Sequence, residues 1–131
     1  MRFFYLIPLI VLILSGCSKN EKTLFKIVDN NLSGVHFVNR IQHEDTLSVI
    51  DFEYMYNGAG VATGDFNNDG LQDLFFTGNM VSCKLYLNKG NLKFEDITEK
   101  AGVGTNTWAN GVALVDINQD GFTDIYVSVG G

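Results

Sequence analysis

The sequence predicts an all-β protein assembled from antiparallel hairpins. Two observations carry that prediction. Gly60–Phe75 returns without a gap as Gly111–Tyr126, an offset of 51 residues with eight identical positions, which marks a repeat of one supersecondary unit. In each copy an Asp- and Gly-rich loop lies between short runs of aromatic and β-branched residues, the composition of strands joined by a turn.

Composition narrows the rest. A chain of 131 residues is one ordinary domain in size. Its 9 Lys and Arg against 15 Asp and Glu leave −6, a sign that repels phosphate backbones, so nucleic acid is not an expected partner. Two cysteines permit at most one disulfide, which excludes a cystine-stapled miniprotein.

Residues 1–16 read as an export signal. Arg2 supplies the positive start, and Phe3 to Leu14 is an apolar run broken by Pro8, too short for the roughly 20 residues a membrane-crossing helix needs. Leu14-Ser15-Gly16-Cys17 follows and resembles the bacterial lipobox, which implies lipidation at Cys17. Removal of the signal leaves eight cations against fifteen anions, or −7. Residues 17–23 are then a polar tether. Cys83 is left without a partner in the chain, and the alternation of Cys83, Leu85 and Leu87 turns its thiol toward a core.

Residues 24–57 are expected to form N-terminal strands: Leu24 to Val28, Val35 to Val38, and Ile50 to Tyr56, the last with Phe52, Tyr54 and Tyr56 on one face. His36 and His43 stand isolated from any zinc-like spacing. Within the repeat, strands are expected near 60–64, 73–77, 83–88 and 92–98, with a turn at Asn88-Lys89-Gly90-Asn91.

The chemistry lies in Asp-x-Asn-x-Asp-Gly-x-x-Asp, present in both units. Oxygens at loop positions one, three, five and nine, with the carbonyl at seven and the turn glycine at six, suit one hard cation. The first set is Asp65, Asn67, Asp69, the carbonyl of Leu71, and Asp73; the second is Asp116, Asn118, Asp120, the carbonyl of Phe122, and Asp124. Each loop holds three carboxylates and no cation of its own, so their repulsion favours a divalent ion. Two calcium ions, structural rather than catalytic, are the expected cofactors. Position twelve is Phe76 or Val127 where a helical EF-hand needs Glu, so the loop belongs to a hairpin. The same residues could also form Asx-turns without metal.

These paired loops, with Asn57-Gly58-Ala59-Gly60-Val61-Ala62 before them and Lys84-Leu85-Tyr86-Leu87-Asn88 and Phe94-Glu95-Asp96-Ile97-Thr98 after the first, resemble FG-GAP repeats of the VCBS type. The resemblance implies integrin-α-like β-propeller blades of four antiparallel strands: a first blade over 58–110 and part of a second over 111–131. Only about one and a half blades fit in the chain, which reads as an N-terminal piece of a longer protein. The implied function is a non-catalytic, calcium-stabilised binding or adhesion module of an envelope lipoprotein. The membrane anchor at Cys17 would sit in the bacterial cell envelope, in the outer membrane rather than the inner, and the partner would be an extracellular or periplasmic protein or glycan. Two other readings stand beside it, an accessory propeller of a longer envelope hydrolase and a carbohydrate-binding propeller using Tyr54, Tyr56 or Trp108. The visible residues contain no Ser/His/Asp set, zinc spacing or phosphate loop.

Overall fold

The computed structural model describes residues 23–42, 50 and 52–130. The export signal, Cys17, His43 and Asp51 lie outside the described residues. Within them the protein is all-β, with two single-turn helices. The strands are β1 (Val61–Gly64), β2 (Asp73–Phe76), β3 (Lys84–Asn88), β4 (Phe94–Asp96), β5 (Ala109–Val115) and β6 (Asp124–Val129), and the helices are α1 (Asn30–Ser33) and α2 (Thr98–Ala101).

The first four strands form one antiparallel sheet in the order β1-β2-β3-β4, and β5 pairs with β6 in a second. Registers run Gly64 opposite Asp73, Leu74 opposite Tyr86, and Tyr86 opposite Asp96. In the second sheet Val115 pairs with Asp124, the same position in the repeat as Gly64 with Asp73. The β3–β4 turn closes through Lys89 N–H to the Lys93 carbonyl at 2.7 Å. The four strands expected in the first blade are therefore present, each slightly shorter than its apolar run.

The two sheets pack face to face. Phe75 of β2, Cys83 at the entry to β3, Leu85 of β3 and Ala109 of β5 are buried together, and Phe66, Ile97, Val103, Val112, Ile125 and Val127 close around them. Cys83 is a free, buried thiol, as the alternation of its strand requires. Its sulfur accepts from the Thr105 hydroxyl at 3.1 Å. β1 lies against β5, and the approach leaves no room for side chains: a Cβ at Gly60 would stand 3.0 Å from Val112, and one at Gly64 2.9 Å from Leu114. Backbone bonds tie the sheets at one end, where Ala109 N–H donates to the Gly78 carbonyl at 3.0 Å. Beside this link the buried Asn79 amide donates to the Ala109 carbonyl at 3.2 Å.

The N-terminal segments differ from expectation. Leu24 to Val28 and Val35 to Val38 form no strands, because neither finds a neighbour to complete a ladder. Phe37 instead stacks on Phe76 with ring centroids 4.9 Å apart, covering the outer face of the first sheet. Phe76 in turn meets the buried Tyr86 edge to face at 5.9 Å. Burial pushes the Tyr86 hydroxyl pKa up. The described residues 52–57 make turns rather than a strand, with Met55 N–H donating to the Phe52 carbonyl at 3.1 Å. The aromatic row is thereby broken: Met55 is fully buried while Tyr54 and Tyr56 are exposed.

The glycine contact gives a direct test. Gly60→Val should force β1 away from β5 and destabilise the protein by about 1–3 kcal/mol, the usual cost of overpacking. Urea denaturation checks this, and an unchanged midpoint would show that the sheets do not meet there.

Candidate metal centre

Both Asp-rich loops adopt one conformation, built bond for bond from the same atoms. Asp65 accepts from Asp69 N–H at 3.0 Å and from Gly70 N–H at 2.8 Å. Asp116 accepts from Asp120 N–H at 3.1 Å and from Gly121 N–H at 3.0 Å. Asn67 Nδ2 donates to Asp69 Oδ2 at 2.9 Å, and Asn118 Nδ2 to Asp120 Oδ2 at 2.9 Å. Leu71 N–H reaches Asp69 at 2.8 Å, and Phe122 N–H reaches Asp120 at 2.9 Å. The turn needs positive φ at the same places, Asn68 at 56° and Gly70 at 85° in one loop, Gln119 at 60° and Gly121 at 87° in the other. Glycine at position six is thus required by backbone conformation and not by space, since a Cβ there would meet nothing within 4 Å.

The ninth position does more than was expected of a ligand. Asp73 is fully buried. Its Oδ2 accepts from Phe66 N–H at 3.0 Å, and its Oδ1 accepts from Asn88 N–H on β3 at 2.8 Å. Asp124 repeats the first bond, accepting from Ile117 N–H at 2.9 Å. It is half-buried. The loops also touch each other, through Asn68 Nδ2 donating to the Gly121 carbonyl at 3.2 Å.

Electrostatics separate the two loops. The Asn67 amide and the Leu71 N–H hold the Asp69 carboxyl below its ordinary range, with a smaller contribution from Lys89. For Asp120 the Phe122 N–H and the Asn118 amide do the same, with no cation involved. Lys89 comes from the β3–β4 turn, outside the motif, and no spacing within the loop reveals it. It is itself paired with Glu95 at 2.8 Å.

The donor set fits a hard cation. It is all oxygen, and a carboxylate has about four lone-pair sites, of which the bonds above occupy two on each of Asp65, Asp69 and Asp73. The convergence expected from the spacing is not formed, however. Among the described residues no three His, Cys, Asp or Glu side chains gather as a ready metal cluster. The carboxylates accept from amides of their own loop instead, and an ion would have to compete with those bonds.

Of the three aromatic residues considered for a glycan, Tyr54 and Tyr56 are exposed and Trp108 is the less open one. Trp108 packs edge to face on Phe52 at 5.0 Å, and its Nε1 is buried without a hydrogen-bond partner. His36 is exposed.

Comparison with known proteins agrees with this architecture. Residues 65–127, which begin at the first ligand position of one loop and end beyond the second loop, match the sequence model of the FG-GAP-like repeat. The chain carries an FG-GAP-like repeat. Its two sheets are partial propeller blades of that kind, and FG-GAP repeats are in general non-catalytic modules. Cartilage acidic protein 1 of Xenopus tropicalis is 38% identical over 69 residues, which cover 52% of this chain and 11% of that protein. The chain therefore spans a small part of the curated relative it matches. No solved structure matches.

Two outcomes follow from the carboxylate geometry. Asp73→Asn places an amide N–H against one of two backbone N–H donors in a buried site and should cost about 1–3 kcal/mol, whereas Asp124→Asn should cost less. Urea denaturation of both variants tests the order. Because the Asp69 and Asp120 pKa values are depressed in the fold, their contribution is present above the unfolded carboxylate pKa of about 3.9 and is lost as pH falls through the lower folded values. Amide exchange at Leu71 and Phe122 should therefore quicken only below about pH 4. Acceleration between pH 5 and 7, beyond the intrinsic pH dependence of exchange, would contradict that assignment.

Proposed function

We propose that the chain is a calcium-stabilised, non-catalytic binding or adhesion module of a cell-envelope lipoprotein, anchored through Cys17. One observation carries the calcium part. Two loops 51 residues apart repeat not only their Asp and Asn residues but the hydrogen bonds within each loop that orient them. Asp65, Asn67, Asp69, Asp73 and the Leu71 carbonyl would hold one ion, and Asp116, Asn118, Asp120, Asp124 and the Phe122 carbonyl a second. Calcium supplies two positive charges to each set of three carboxylates, so the loops no longer repel themselves.

The ion's role in this reading is mechanical. The first loop joins β1 to β2 and the second joins β5 to β6, so fixing each loop fixes a hairpin and the face it packs. The FG-GAP-like repeat supports a binding role, and the export signal with its lipobox-like end supports a place on the envelope. The partner is a protein or glycan outside the membrane.

Thermal unfolding tests the proposal. For extracellular calcium modules with Kd about 10⁻⁴ to 10⁻³ M, saturating calcium should raise Tm by about 5 °C or more over chelator. The double variant Gly70→Ala, Gly121→Ala, which forces a Cβ onto backbone at φ 85° and 87°, should lose that rise. An equal rise in the variant, or no calorimetric heat from millimolar calcium in the wild type, would overturn the assignment.

A further inference from the structure

The propeller fold leaves one apolar surface at the N-terminal end of the described chain that neither sheet covers. Leu24, Phe25 and Ile27 are 95%, 90% and 95% exposed. Immediately after them α1 is fixed in place. Asp29 caps it by accepting from Asn31 N–H at 2.7 Å, Gly34 closes it with its N–H on the Asn30 carbonyl, and Gly34 sits so close to the Phe94 carbonyl of β4 that a Cβ would not fit. That docking sets Val28 and Leu32 beside Leu92 of the β3–β4 turn, around a groove of about 390 Å³ that Lys26 and Lys93 flank. Leu32 and Leu92 are themselves mostly exposed.

We propose that this surface, formed by Leu24, Phe25, Ile27, Leu32 and Leu92 with Lys26 and Lys93, seats in the interface of a lipid bilayer and orients the propeller against it. Three observations select a bilayer as the occupant. Chain length is the first, because six residues separate Cys17 from Leu24 and the extended chain between the two reaches at most about 25 Å. An anchor at Cys17 therefore holds the patch within reach of the membrane whatever path the tether takes; this step rests on the lipidation in the function proposed above. Charge is the second. In a chain of −6 the groove carries two lysines against Asp29, whose carboxylate is turned to the helix it caps, so lysine ammoniums meet the anionic headgroups that the rest of the surface repels. Amphipathy is the third: Lys26 and Lys93 flank an apolar groove, and a lysine stem packs on apolar surface while its charged end stays in the polar layer, a composition that suits an interface.

The test uses the full chain reconstituted in vesicles of phosphatidylcholine and phosphatidylglycerol, with and without bromine on the acyl chains. Phe25→Trp adds a second indole to Trp108, and the wild type supplies the Trp108 reference. The variant's additional emission should be shifted to the blue and quenched by at least half in brominated vesicles, while wild-type emission changes little. Additional emission that is unquenched, or blue-shifted before any vesicle is added because the chain's own apolar run covers the patch, overturns the proposal. Leu24→Glu with Ile27→Glu, both at exposed positions, should abolish the quenching, and its persistence would also overturn it. Mass measurement of the lipid on Cys17 reports the anchor separately: a lipidated chain without quenching defeats the surface alone, and an unlipidated chain that is quenched defeats the anchor alone.

Discussion

A carboxylate without solvent exposure sits at the junction of three backbone segments, and the first blade depends on it. Asp73 binds the loop through Phe66 N–H and the neighbouring strand through Asn88 N–H. It also stands opposite Gly64, where the first hairpin meets its loop. Burying a charge is costly unless hydrogen bonds to the charged form compensate, and here two N–H donors are aimed at it. One side chain consequently fixes loop conformation, hairpin register and the position of β3 together. The motif's last Asp is as much an architectural residue as a candidate ligand.

The second unit shows how much of this the loop supplies without a third strand. Its internal bonds are those of the first loop, so the nine-residue motif carries its own conformation. Asp124 is only half-buried, and among the described residues no strand lies on the far side of β6. Tyr126 and Val129 are accordingly exposed. Loop geometry is local, whereas burial of the motif's final carboxylate comes from the sheet around it.

The repeat was legible in the sequence for the same reason. Asp, Asn and Gly at fixed spacing determine turn chemistry, and the apolar runs beside them determine strands, so β1 to β4 and the buried Cys83 follow from local pattern. The strands expected at 24–28, 35–38 and 50–56 do not, because alternation describes a residue's faces and says nothing about whether a neighbouring strand exists. Phe37 is held on Phe76 by stacking instead, and Met55, the residue between the tyrosines, is the one that turns inward. At the candidate metal centre the repeat of the Asp and Asn positions was readable and the hydrogen bonds that orient them were not. Amides within nine residues bind Asp65 and Asp69, and no composition rule ranks those bonds against a cation.

The two loops are chemically equal in sequence and unequal in the folded protein. The Asn67 amide and the Leu71 N–H lower the Asp69 carboxyl, with Lys89 of the β3–β4 turn adding the smallest part, while Asp120 receives only N–H donors. A cation near three carboxylates offsets part of their mutual repulsion, but at an exposed site, and already paired with Glu95, it offsets little. The first loop instead draws its order from Asp73 and the strand beside it. The second has neither the lysine nor the strand bond. The Asn68 bond to the Gly121 carbonyl lies between these two environments. It links the turn that the blade already stabilises to the more exposed turn of the second unit, beside the packing that joins the two sheets.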